Sequence, residues 1–129
     1  MILDTDILID YFRGQLKTKE YIIQTQEQFT ISRATHMELM FGARSKREMQ
    51  TIHKQLKSLQ ITLLEINDQI SGKAGEFFQS YHHTFGLGIM DAFIAATAYV
   101  SGQTLVTQNI KHFRMIKQID VASIIGIKL

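Results

Sequence analysis

Three acids in this chain stand where chemistry could be done: Asp4, Glu38 and Asp91. Asp4 directly follows the apolar residues 1–3 and opens the cluster Asp4-Thr5-Asp6. Glu38 closes Thr35-His36-Met37-Glu38, just ahead of Leu39-Met40-Phe41. Asp91 lies in Gly86-Leu87-Gly88-Ile89-Met90-Asp91-Ala92-Phe93 and is the only charge between His83 and Lys111. Each has a modest structural explanation. Asp is a favoured helix cap, Thr35 and Glu38 have the spacing of a capping box, and a lone acid suits the positive end of a helix dipole. Capping explains one residue of the Asp4-Thr5-Asp6 cluster well, but not the whole of it. If all three acids end strands of one sheet, their carboxylates converge and repel unless a cation sits among them. Such hard oxygen donors suit Mg²⁺ or Mn²⁺ rather than zinc. An ion of that kind lowers the pKa of a bound water, polarises a phosphoryl oxygen and balances a leaving oxygen.

The elements that must position these acids alternate in type. Residues 1–3 read as a short strand, followed by a helical run to about Phe12 with Gly14 as a stop signal. A second helix is expected over 17–26 and a short strand over 29–32. Helices follow over 35–44 and over 45–59, the latter with Met49, Ile52, Leu56 and Leu59 at three- and four-residue spacing. A strand over 61–66 leads to a helix over 67–83, opened by Asn67 or Asp68. Residues 91–100 are apolar nearly all round and predict a buried helix. A strand over 104–107, a short turn and a last strand within 119–127 complete the chain. This alternation predicts βαβ units, hence an α/β fold with a mostly parallel central sheet and helices on both faces. Such sheets bind ligands beyond the carboxyl ends of their strands. That places the site at Asp4-Thr5-Asp6, at Ser32, at the 86–91 segment and at Thr107-Gln108-Asn109.

The whole composition is compatible. With 129 residues, 45% hydrophobic and 20% charged, the chain is expected to form one domain over residues 1–129 and to bury an adequate core. Cysteine is absent, which excludes disulfides, thiolate metal sites and cysteine nucleophiles. The opening MILDTDILID carries acids among its apolar residues and no basic flank, so no signal peptide or membrane span is expected, and the protein is expected in the cytoplasm. The net charge of +2 names no partner by itself.

The residues also carry a family resemblance. ILDTDILIDYFRG resembles the opening motif of PIN domains, ISRATHMELMFGA the second motif, and GIMDAFIAATAYVSGQTLVTQNIKHF the third and fourth. The similarity runs from Ile2 to about Phe113 and follows the toxin branch, the VapC-like nucleases. It implies a PIN-like three-layer α/β/α fold and a Mg²⁺- or Mn²⁺-dependent endoribonuclease. It also implies a cognate antitoxin that blocks the site by setting an Arg against the acids, and a homodimer. It carries catalytic and metal-binding roles onto Asp4, Glu38 and Asp91. Asp6 takes a position of the first motif that implies an accessory ligand, and Thr107 one that would orient a water or a phosphate. The family often has a fourth acid after the 104–107 strand, where this chain has Asn109 and His112. Asn109 could ligate weakly through its amide oxygen or a water, and His112 is accessory. A neutral fourth corner favours one tightly held ion over two.

Other signals are weaker. Arg44, Lys46 and Arg47, with Lys54 and Lys57, form a basic helix that could track an RNA backbone or simply face solvent. Lys111 and Arg114, with Lys117, form a second basic group beside the expected site. His36 and His53 have no partner that the sequence identifies. Phe12, Met40 and Phe41 could belong to the core, to a dimer or to a partner peptide. Two rival readings stand. Asp4-Thr5-Asp6 also fits the Asp-x-Asp of haloacid-dehalogenase-like phosphatases, though Leu8 stands where Thr or Val is expected. The fold could instead serve as a catalytically weak RNA- or protein-binding module.

Overall fold

The structure, a computed structural model, is described for residues 1–124. Among these residues five strands form a sheet in the order β3-β2-β1-β4-β5. They are β1 (Ile2–Leu3), β2 (Thr30–Ser32), β3 (Thr62–Leu64), β4 (Leu105–Val106) and β5 (Val121–Ala122). Every pairing among them is parallel, so the mostly parallel sheet expected from the alternation is entirely parallel over the described residues. The strands are shorter than the sequence predicts, and β5 occupies only two residues of the 119–127 run. Residues 125–127 of that run lie outside the described residues.

Among the described residues six α-helices cover the sheet: α1 (Thr5–Phe12), α2 (Leu16–Gln24), α3 (Arg33–Gly42), α4 (Lys46–Ser58), α5 (Asp68–Phe85) and α6 (Ile89–Ser101). The central strands are apolar on both faces, as a covered parallel sheet requires. Successive side chains point to opposite faces. Ile2 and Leu105 therefore join the core formed with Phe77, Leu87, Ile94 and Phe113 under α5 and α6. Leu3 and Val106 join Ile7, Leu8, Ile31 and Leu39 under α1 to α4. No helix among the described residues is long and apolar enough to cross a membrane.

Two helices start two residues earlier than the sequence predicts, and both bear on the acids. Helix α3 begins at Arg33, not at Thr35, because Ser32 ends β2 in an extended conformation and its Oγ accepts from the Ala34 N–H at 3.0 Å. Thr35 is thus inside the helix and fully buried. The Thr35–Glu38 capping box does not exist, and that explanation of Glu38 falls. Helix α6 begins at Ile89, with Gly88 as a cap that offers no side chain. Gly86, at φ 75°, ends α5 in the left-handed conformation that glycine favours, and the chain reverses over Leu87 into α6. Asp91 is therefore a first-turn residue rather than the cap. Helices α3 and α4 are separate because the chain is extended at Ala43 and Ser45, where Ser45 caps α4 through the Glu48 N–H.

Candidate active site

The strand order reverses direction between β1 and β4, the position at which open α/β sheets bind their ligands. Ile2 is in register with Leu105 and Leu3 with Val106, so Asp4 and Thr107 emerge side by side at the carboxyl ends of the two strands. Asp4 caps α1. Its Oδ1 accepts from the Thr5 N–H at 2.8 Å, and its Oδ2 accepts from the Thr107 hydroxyl at 2.7 Å. Both residues are buried. The Thr107 hydroxyl in turn accepts from the Asn109 N–H at 3.0 Å.

Asp6, one step into α1, reaches across to the same loop. Its Oδ2 accepts from the Gln108 N–H at 3.0 Å and from the Asn109 side-chain amide at 3.2 Å. Its Oδ1 is buried and has no hydrogen-bond partner among the described residues. Asn109, considered from sequence as a weak ligand, is thus placed on Asp6. Glu38, in the second turn of α3, is held from β1's side of the site. Its Oε1 accepts from the Thr5 hydroxyl at 2.6 Å, and the Thr5 and Thr35 hydroxyls are 3.1 Å apart. Asp91 approaches from α6, with Oδ2 3.8 Å from Nδ1 of His112. His112 ends the 3₁₀ turn Ile110–His112 that follows β4.

The charges are coupled. Burial raises the pKa of Asp4 above the usual carboxylate range, against the lowering effect of the Thr107 hydrogen bond. Burial, and then the charge of Asp4, pushes Asp6 up to about 7. Asp91 rises to about 6, first through burial and then through repulsion from Asp4, with Glu38 adding to it. Carboxylates desolvated and opposed by one another are a site that a cation would relieve. The donor set fits a small divalent ion: hard carboxylate oxygens from three elements, and one buried oxygen of Asp6 without a donor. Among the described residues, no three acidic or histidine side chains are already closed into a ligand cage. An ion would draw the carboxylates together.

Around the acids, the basic residues separate into groups. Arg44 lines a groove between α1, α3 and α4 together with Glu38, Ile9, Phe12, Leu39 and Ile52, and lies 3.4 Å from Glu48. Lys46 and Arg47 are exposed at the start of α4 and are not among the groove's lining residues. Lys111 and Arg114 flank His112 and are exposed. A larger groove lies at the amino ends of β2 and β3, lined by Gln28, Phe29, Ile61 and Thr62, on the edge away from the acids.

Several positioning groups are hard to find from sequence. Thr5 anchors Glu38, and its only signal is its place between two acids. Ser32 and Thr97, buried and 3.2 Å apart through their hydroxyls, tie the start of α3 to α6. His36 and His53 do have a partner, namely each other: their Nε2 atoms lie 2.8 Å apart, linking α3 to α4. Arg33 contacts the other ring nitrogen of His36 at 3.0 Å and pairs with Glu65.

The PIN domain family model matches residues 1–118. The chain belongs to the PIN domain family. It is 30% identical over 124 residues to ribonuclease VapC10 of Mycobacterium tuberculosis, covering 92% of this chain and 90% of that protein. It is likewise 30% identical over 131 residues to ribonuclease VapC1 of Rickettsia felis, covering 96% of both. Among solved structures, a chain of a toxin–antitoxin complex from Klebsiella pneumoniae superposes with a TM-score of 0.79 at 30% identity, covering 95% of this chain and 96% of that one. A chain of VapBC2 from Rickettsia felis bound to a promoter DNA fragment shares the fold at a TM-score of 0.80 and 22% identity, covering 95% of this chain and 96% of that one. The match to the PIN family over most of the chain displaces the phosphatase reading of Asp4-Thr5-Asp6.

Proposed function

We propose that this PIN domain is a Mg²⁺- or Mn²⁺-dependent endoribonuclease and the toxin of a toxin–antitoxin pair. The observation that carries the reading is the electrostatic repulsion of Asp91, just after the α5–α6 turn, by Asp4 at the β1–α1 junction and by Glu38 in α3. Asp4, Asp91 and Glu38 would hold the ion. When bound, a divalent ion supplies Lewis acidity toward a phosphoryl oxygen and acidifies water, so no side chain need act as nucleophile. The chain's own residues orient the site. Thr107 fixes one oxygen of Asp4 and the Thr5 N–H fixes the other, leaving each oxygen a further lone pair. Thr5 sets the rotamer of Glu38, and Asn109 and Gln108 hold Asp6 beside the cluster. Arg44, in the groove beside Glu38, and Lys111 and Arg114, beside His112, offer positive charge for an RNA backbone, with Lys46 and Arg47 extending it along α4.

The similarity to ribonucleases named VapC and to a toxin–antitoxin complex supports the RNA substrate and an antitoxin partner. A partner of this kind would cover the apolar groove beside Glu38 and set an Arg against the carboxylates. A homodimer acting in the cytoplasm completes the reading. The test is cleavage of cellular RNA by the purified chain with Mg²⁺ or Mn²⁺, beside Asp4→Asn and Asp91→Asn. Each substitution should lower cleavage by roughly 100-fold or more with the fold intact. Metal-independent cleavage, or none by a folded wild-type chain on any RNA class, overturns the reading in favour of a binding module. In cells, expression alone should arrest growth and co-expression of the neighbouring antitoxin should restore it.

A further inference from the structure

We infer that His112 is a nitrogen ligand of the ion held by Asp4 and Asp91, and that it biases this site toward Mn²⁺ over Mg²⁺. The inference rests on the reading of the acids as a metal centre and adds the donor that sets which ion is preferred.

Two residues after β4 stand where an acid would complete the cluster, and the structure separates them. Asn109 is committed, with its side-chain amide on Asp6 and its backbone N–H on Thr107. The ring of His112 makes no hydrogen bond to any described residue, its backbone N–H alone donating to the Asn109 carbonyl. Its Nδ1 faces Asp91 Oδ2 at 3.8 Å, longer than a hydrogen bond. At metal–ligand distances of about 2.0–2.1 Å, neighbouring ligands of one ion lie roughly 3 Å apart and opposite ones roughly 4 Å. The observed separation falls between these, so Nδ1 and Oδ2 can share an ion with little movement. The 3₁₀ turn Ile110–His112 is anchored by Phe113, which is fully buried, so the imidazole is carried on a fixed support although 62% of its side chain is exposed.

The choice of donor has a chemical consequence. Mg²⁺ binds oxygen ligands and keeps much of its water, whereas imidazole suits the first-row transition ions. Replacing a fourth carboxylate by imidazole removes one negative charge from the site and adds a softer donor. The loss of charge weakens both ions, and the nitrogen donor favours Mn²⁺ over Mg²⁺. The competing account is a simple ion pair between a protonated His112 and Asp91, with no nitrogen on the metal.

The deciding experiment is Mn²⁺ titration of the full chain, with free Mn²⁺ read by electron paramagnetic resonance and nitrogen ligation read by pulsed methods. Wild type should show ¹⁴N coupling to bound Mn²⁺. His112→Ala should lose that coupling and bind Mn²⁺ roughly 10-fold more weakly, while Mg²⁺ affinity by competition changes less than about twofold. Absence of ¹⁴N coupling in a wild-type chain that does bind Mn²⁺, or its persistence in His112→Ala, overturns the assignment of His112 and leaves the acid centre standing. Failure of wild type to bind Mn²⁺, or undiminished binding by Asp91→Asn, overturns the acid centre and the inference together.

Discussion

Replacing Asp91 by Asn should make the ion-free protein more stable while destroying its chemistry. In the folded chain Asp91 titrates near about 6 rather than at 3.8, because burial and the charges of Asp4 and Glu38 disfavour its ionised form. The folded state therefore holds this proton to higher pH than the unfolded chain does. The associated stabilisation is complete below about pH 4 and is lost as the pH rises through about 6. A difference of that size is worth up to about 3 kcal/mol at 1.36 kcal/mol per pH unit. The side chain is 30% exposed, so solvent screens part of the effect and ~1–2 kcal/mol remains. For a domain of this size that is roughly 3–8 °C in Tm. The assay is thermal unfolding of wild type and Asp91→Asn in chelator at about pH 3.5 and about pH 8, conditions on either side of the titration. The two proteins should melt together at the lower pH, and the variant should melt higher at the upper one. Millimolar Mn²⁺ or Mg²⁺ should then raise wild type and leave the variant largely unmoved. An Asp91→Asn chain no more stable than wild type at the higher pH, or a gap that ignores pH, refutes the account of the site as a strained acid cluster.

Further substitutions probe the supports. Thr107→Val removes the hydroxyl that holds Asp4 Oδ2 and receives the Asn109 N–H; metal affinity measured by calorimetry should fall about 10- to 100-fold. Thr5→Val keeps the backbone N–H to Asp4 but frees Glu38, so cleavage should fall about 10-fold or more, with Thr5→Ser restoring most of it. Ser32→Ala deletes the α3 cap and should cost about 1 kcal/mol in chemical denaturation, equally at low and high pH. Lys111→Gln combined with Arg114→Gln should reduce the slope of log affinity for RNA against log salt by about 1–2, leaving metal binding unchanged.

The acids were legible in the sequence, but the reasons for their placement were less so. Helix α6 is evident from its apolar content, yet Asp91 is the first polar residue in that run and so attracts the role of cap, which the backbone gives to Gly88. At α3 the sequence offers two capping hydroxyls three residues apart. Ser32 prevails because it is the last residue of β2, where the chain must already turn. Thr5, Thr35 and Thr97 look like ordinary small polar residues, and only the meeting of α1, α3 and α6 shows that they hold one another and Glu38. The contact of His36 with His53 spans 17 residues between two helices, and no periodicity within either helix announces it. Local pattern thus yields the elements and the acids' types, whereas capping and long-range hydroxyl contacts depend on how the sheet is ordered.

The pairing of Asp4 with Thr107, 103 positions apart in the chain, also bears on when activity can begin. On the ribosome, residues up to Glu38 emerge early and can bring Thr5 to its carboxylate. Asp4 has neither its hydroxyl partner nor the second of the two strands that flank β1 until β4 has been translated. Contacts this distant in sequence also close slowly. A chain interrupted anywhere before Thr107 lacks the support of its first acid and is expected to be inert. The central position of β1, flanked by one early and one late strand, thus acts as a completeness check on translation: a partner protein waiting nearby has until the end of synthesis to engage the chain before it becomes dangerous.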